Sequence, residues 1–172
     1  MRKREALRRV TRAVKRYGIP VRNARLSPGF TGDIDGESIT LDRRKLNDEE
    51  ALFLVLHLFG HTVQWNVSPA QRKIGLLAVT LPDPKLLARL VAYERDALGY
   101  SIQLLRECGV PGLDQWLADH AECDVAYLTY FYTSGRKKPF RSFWRKGMPI
   151  MKARRIPKFT PKFWGGRTGD VI

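Results

Sequence analysis

The chain has 172 residues, of which 44% are hydrophobic, and a net charge of +14, so we expect one globular domain with a sizeable core rather than a disordered chain. No apolar run approaches the roughly 18 to 20 residues that a membrane span needs, and the charged N-terminus lacks the apolar core of a signal peptide. The two cysteines have no framework spacing, so we expect free thiols in a reducing, cytoplasmic compartment.

The positive charge is concentrated at the two ends of the chain. Residues 1–25 contain ten Lys or Arg and one acid, and residues 135–172 contain twelve Lys or Arg and one acid. Residues 26–134 contain nine Lys or Arg and fifteen acids. The sequence therefore predicts a mildly acidic central domain at 26–134, from which a basic N-terminal extension and a basic C-terminal tail project. Such ends commonly contact nucleic acid or another anionic surface.

The first third of the chain predicts a helix followed by short strands. Residues 2–16 have the apolar period of a basic helix, and residues 21–26 are suited to a short strand. The segment 32–42 predicts a β-hairpin, because alternating apolar residues flank the turn signal Asp35-Gly36.

Four further helices are predicted to begin near residues 48, 69, 84 and 113. Asp48 is the expected N-cap of the first, while Ser68 and Asp83 each precede a proline that suits the first position of a helix. Gly135 is expected to end the last helix, and the proline-containing segment 136–172 is expected to be an extended arm. The expected fold is α+β and mainly helical, with four to five helices and a small β-hairpin or sheet.

His57 and His61 lie four residues apart in an apolar run that predicts a helix. Residues i and i+4 share a helix face, so both imidazoles can reach one metal ion, and zinc needs at least one more protein ligand. The later helix offers Glu94 and Asp96, of which Glu94 is the expected ligand because an unpaired acid in its apolar stretch would be costly.

The alternative is a pair of core histidines bonded to the backbone, with Glu94 in a surface ion pair with Arg95 or Arg89.

Three pieces of the sequence resemble the ImmA/IrrE-type branch of the zincin metallopeptidases. They are Asp33-Ile-Asp-Gly-Glu-Ser-Ile-Thr-Leu, His57-Leu-Phe-Gly-His61 and Glu94-Arg-Asp-Ala97. The family pattern has a hairpin, then a helix with His-Glu-x-x-His ligands, then a helix with Glu-x-x-Ala, and it corresponds to about residues 30–108 here. The resemblance implies a zincin-like core in which His57, His61 and Glu94 are the zinc ligands.

The position of the family's catalytic glutamate is occupied by Leu58. A leucine cannot take a proton from metal-bound water, and such general acid–base help is typically worth about 10² to 10⁴ in rate. We therefore expect a catalytically degenerate zincin-like protein that acts by binding, with a structural or vestigial zinc.

One alternative is an active zinc metallopeptidase that cleaves a regulatory protein with a non-standard base, such as Glu49 or Asp96. Another is a structural subunit without metal.

Basic and aromatic residues alternate in the tail, which suits phosphate contacts and base stacking. The same composition suits docking along a protein groove, so the expected partner of the two basic ends is nucleic acid or a protein assembly. The candidate partner-binding residues are Arg136, Lys137, Lys138, Arg141, Trp144, Arg145, Lys146, Arg154 and Arg155.

The segment 118–124 contains His120 with acids on both sides and superficially resembles a metal cluster. Because consecutive residues of a helix do not share a face, we expect this segment to be a solvated helix surface.

Overall fold

A computed structural model describes residues 2–77 and 81–165. Within these residues the α-helices and strands are α1 Lys3–Arg16, β1 Val21–Asn23, β2 Gly32–Ile34, β3 Ile39–Leu41, α2 Asp48–Val67, α3 Pro69–Gly75, α4 Pro84–Glu107 and α5 Asp114–Ser134. The predicted α+β, mainly helical class is confirmed. None of the helices in the described ranges combines the length and apolar character that crossing a membrane requires.

The three strands form one small sheet in the order β1-β3-β2. Strands β2 and β3 are antiparallel, with Ile34 opposite Ile39, so the predicted hairpin is confirmed, and β1 adds to it in parallel. Ile34, Ile39 and Leu41 are buried. A Cβ added to Gly32 would lie 2.8 Å from the Leu58 side chain, so α2 packs directly beneath β2.

The central helix α2 begins after a capping box. Asn47 accepts the backbone N–H groups of Glu49 and Glu50, and the Glu50 carboxylate accepts the Asn47 N–H. The prediction that Asp48 is the N-cap is wrong, because its carboxylate is held instead by Arg4 and by Arg43 in the loop before the helix. The cap starts a helix in which residues 51–65 are all buried.

The two basic ends lie against the core rather than projecting from it. Helix α1 buries its apolar stripe in the same core as α2. The tail after Gly135 is extended apart from one 3₁₀ turn, Phe140–Phe143, and the backbone N–H of Arg154 donates to the Gly99 carbonyl at 3.0 Å. The tail side chains packed against the core are Met151, Ala153, Ile156, Phe159 and Trp164. Residues 166–172 of the predicted tail lie outside the described ranges.

Candidate metal centre

Helix α2 presents His57 and His61 on one face, one helical turn apart. Their Nε2 atoms are 3.1 Å from each other, and the rings meet edge to face. His57 is 4% exposed and His61 is 1% exposed. The i, i+4 spacing therefore produces the predicted pair, and the pair is enclosed within the protein.

Helix α4 brings Glu94 to the same place. Its Oε2 lies 2.9 Å from His61 Nε2 and 3.5 Å from His57 Nε2. The helices approach closely because Gly60 has no side chain: a Cβ there would meet the backbone of Ala97. Glu94 is 3% exposed, so it is not in the alternative surface ion pair, and Arg95 pairs with Glu122 instead.

The spacing of the three donor atoms fits a metal ion. Zinc binds imidazole nitrogen and carboxylate oxygen at about 2.0 to 2.2 Å in tetrahedral geometry, which places ligand atoms about 3.3 Å apart. The observed separations of 2.9, 3.1 and 3.5 Å are close to that value. His57, His61 and Glu94 form a group that can hold a metal ion, with donor atoms within 4.8 Å of one another.

A chain of hydrogen bonds determines which nitrogen of His61 carries its proton. The backbone carbonyl of Tyr93 can only accept, so the Gln64 amide nitrogen donates to it at 2.7 Å and leaves the Gln64 Oε1 as an acceptor. That Oε1 lies 2.8 Å from His61 Nδ1, which must therefore be protonated.

Nε2 is therefore the atom that His61 offers to a metal ion, and it faces His57 and Glu94, as in metal-ligating histidines. Because the Glu94 carboxylate is also an acceptor, a cation between these atoms removes their repulsion. That cation is a proton or a metal ion.

Position 58 contributes only packing. Leu58 is buried and contacts the β2 strand at Gly32. The two alternative bases are engaged elsewhere. Glu49 accepts from Trp116 Nε1 at 2.7 Å, and Asp96 accepts from Gln71 and is ion-paired with Arg154.

The prediction of a solvated surface around His120 is wrong. His120 is 2% exposed and Asp124 is 1% exposed. Both are buried because α5 packs on α4 and because Trp144 of the tail lies edge-on to the His120 ring, with ring centroids 4.5 Å apart. Asp124 Oδ2 lies 3.7 Å from His57 Nε2.

Sequence reasoning missed Asp124, although a signal for it exists. Leu117, Ala121 and Asp124 follow the i, i+4, i+7 period of one helix face, and all three are buried. The carboxylate is therefore on the face that α5 turns toward the core.

The predicted partner-binding residues of the tail divide into two groups. Trp144 packs against His120, Arg141 donates to Glu49 at 3.0 Å, and Arg154 pairs with Asp96 on the surface of α4. The other six are exposed, and they are Arg136, Lys137, Lys138, Arg145, Lys146 and Arg155. The first group holds the tail to the core, whereas the second remains accessible.

No model of a known protein family matches this chain, and neither a curated protein nor a solved structure matches it. The functional argument therefore depends on the residues of the site and on the surface around it.

Proposed function

We propose that this protein is a catalytically degenerate member of the ImmA/IrrE-type zincins that keeps zinc as a structural element and acts by binding. The observation that carries the proposal is the convergence of His57, His61 and Glu94, whose donor atoms lie 2.9 to 3.5 Å apart in the core. The order of hairpin, histidine helix and glutamate helix supports the zincin comparison.

Loss of peptidase chemistry is supported by two features. Leu58 supplies no proton acceptor, and all three candidate ligands are at most 4% exposed, so their burial would keep a peptide carbonyl away from an ion held between them. When bound, zinc would act as a Lewis acid in an open site. Here it would join α2 to α4, and its binding free energy would add to the stability of the fold.

The test is metal content and thermal stability of the purified protein and two variants. We expect about one zinc per chain in the wild type and a lower Tm in chelator, because ligands that bind only the folded state stabilise it. His57→Asn should lose the zinc and the chelator effect together. His120→Asn is the matched control, since it replaces the third buried histidine outside the ligand set and should keep both.

Zinc at background level in the wild type, with an unchanged Tm in chelator, would contradict the proposal and favour a structural subunit without metal. Zinc-dependent cleavage of a casein-type or repressor-type substrate that disappears in His57→Asn would instead establish the metallopeptidase alternative.

We also propose that the partner is nucleic acid, bound where the two basic ends meet. The Tyr17 ring at the end of α1 stacks on Phe159 of the tail, with centroids 6.1 Å apart and planes 9° apart. This contact, with Gly18 beside Pro161, brings the exposed residues Lys15 and Arg16 at the end of α1 next to the tail segment that carries the exposed Lys158 and Lys162. Phosphate contacts predict affinity that falls steeply with rising salt.

A further inference from the structure

We propose that Asp124 is a fourth protein group of the metal centre and supplies a second carboxylate on the side of His57. This inference rests on the proposed function, because it assigns a residue to the same centre. The three-ligand set leaves α5 uninvolved, whereas Asp124 brings that helix into the site.

Asp124 lies close to His57, one of the candidate ligands. Its Oδ2 is 3.7 Å from His57 Nε2, the atom that also lies 3.5 Å from Glu94 Oε2. The nitrogen that faces the ion position therefore has a carboxylate from α4 and another from α5 beside it. Asp124 is not one of the three residues whose donor atoms all lie within 4.8 Å of one another, and it approaches that group through His57.

The summed charge of the four side chains also favours a divalent ion. Two imidazoles and two carboxylates have a summed charge of −2 when the rings are neutral, which equals the charge of one divalent cation with opposite sign. Asp124 is 1% exposed and Glu94 is 3% exposed. Burying carboxylates is expensive unless an opposite charge is close. With Glu94 alone, a divalent ion would retain an uncompensated positive charge in the core.

The consequence is a closed site. Structural zinc sites are surrounded by four protein groups, whereas catalytic sites keep a position open for water or substrate. A fourth group from α5 would complete the enclosure and join α2, α4 and α5 through one ion. It would also account for an apolar residue at position 58, where an active peptidase needs a base.

The experiment compares Asp124→Asn with the wild type in zinc competition against a chromophoric chelator and in the visible spectrum of the cobalt-substituted protein. The amide has the shape of the acid without its charge. Groups that support ligands typically contribute about 10- to 100-fold in metal affinity, so we expect at least about a tenfold loss. The cobalt bands should also shift, which a purely structural role would not produce.

Asp119→Asn is the matched control. Asp119 is another buried acid of α5, but its Oδ1 accepts the Met148 N–H at 2.9 Å and the Gln115 amide at 2.9 Å, outside the centre. Its zinc affinity should stay within about twofold of the wild type, because the Coulomb attraction between a carboxylate and the ion weakens with distance and Asp119 is bonded to Met148 and Gln115 instead. If Asp124→Asn does not fold, Asp124→Leu removes the same charge without leaving a polar group to bury, and the same loss of affinity is expected.

Three results are distinguishable. If the wild type binds no zinc, the proposed function fails and this inference fails with it. If the wild type binds zinc and the Asp124 variant binds it equally, with unchanged cobalt bands, only this inference is overturned and the three-ligand centre stands. If the variant loses stability without metal but keeps its zinc affinity, Asp124 is an ion-pair partner of His57 alone, which also overturns the inference.

Discussion

Single residues in the core of this protein depend on partners that are distant in sequence. His120 illustrates this, because burial lowers the pKa of its imidazole to about 4, while its Nδ1 donates to the Trp116 carbonyl at 3.0 Å. Its Nε2 has no hydrogen-bond partner among the described residues. The burial of its ring is completed by Phe53, Trp116 and Trp144, which surround it.

The lowered pKa of His120 predicts a pH-dependent stability. In the unfolded chain His120 binds a proton near pH 6.5, whereas in the folded protein it binds one only near pH 4. The free energy of unfolding therefore decreases as the pH falls from 6.5 toward 4. At about 1.4 kcal/mol per pKa unit, the loss between pH 7 and pH 5 is about 2 kcal/mol.

Urea unfolding of His120→Gln at both pH values should show a pH dependence smaller by about that amount. An unchanged pH dependence would contradict a neutral, buried His120.

At the level of elements, the site depends on how closely two helices approach. Local signals predicted the extents of α2 and α4 well, although the N-cap of α2 is Asn47 rather than Asp48, and Pro84 lies at the first position of α4 as expected. Their contact is not a local property. Gly60 faces the backbone of Ala97, and this contact brings Glu94 within reach of the two histidines.

Gly60→Ala should therefore destabilise the protein, although alanine favours an isolated helix over glycine by about 1 kcal/mol. The added Cβ would meet backbone atoms of Ala97, which cannot move without separating the helices, and overpacking of this kind costs about 1 to 3 kcal/mol. The Tm and the zinc affinity should both decrease.

Gly99→Ala is the control, since its Cβ would approach mainly the Arg154 side chain of the tail, at 2.7 Å. An equal or larger loss in Gly99→Ala would contradict a special role for the contact between α2 and α4.

For the whole molecule, the fold brings the end of α1 and the C-terminal tail together. The segments at 1–25 and 135–172 carry most of the basic residues, and the Tyr17–Phe159 stack joins the end of α1 to the described part of the tail. Two separate basic arms would contact phosphates independently, whereas basic residues on adjacent segments can contact the same stretch of phosphates.

Nucleic-acid binding should therefore depend on basic residues of both segments. Replacing Lys15, Arg16, Lys158 and Lys162 with Gln should lower affinity for duplex DNA or RNA and reduce the slope of log affinity against log salt by about 3 to 4. The charge-matched control replaces four exposed basic residues of the central domain, which are Lys73, Lys85, Arg89 and Arg95. An equal loss in the control, an unchanged slope, or binding to an acidic protein alone would each contradict the assignment.

The sequence by itself determined the hairpin, the ends of most helices and the shared helix face of His57 and His61, because helical period, capping and i, i+4 spacing are properties of neighbouring residues. Only the tertiary structure decided that Asp124 lies beside His57, that His120 is buried and that the basic tail lies on the core. Those features depend on which faces of α4, α5 and the tail pack together. Packing of this kind is set by contacts between residues far apart in the chain, which local patterns do not encode.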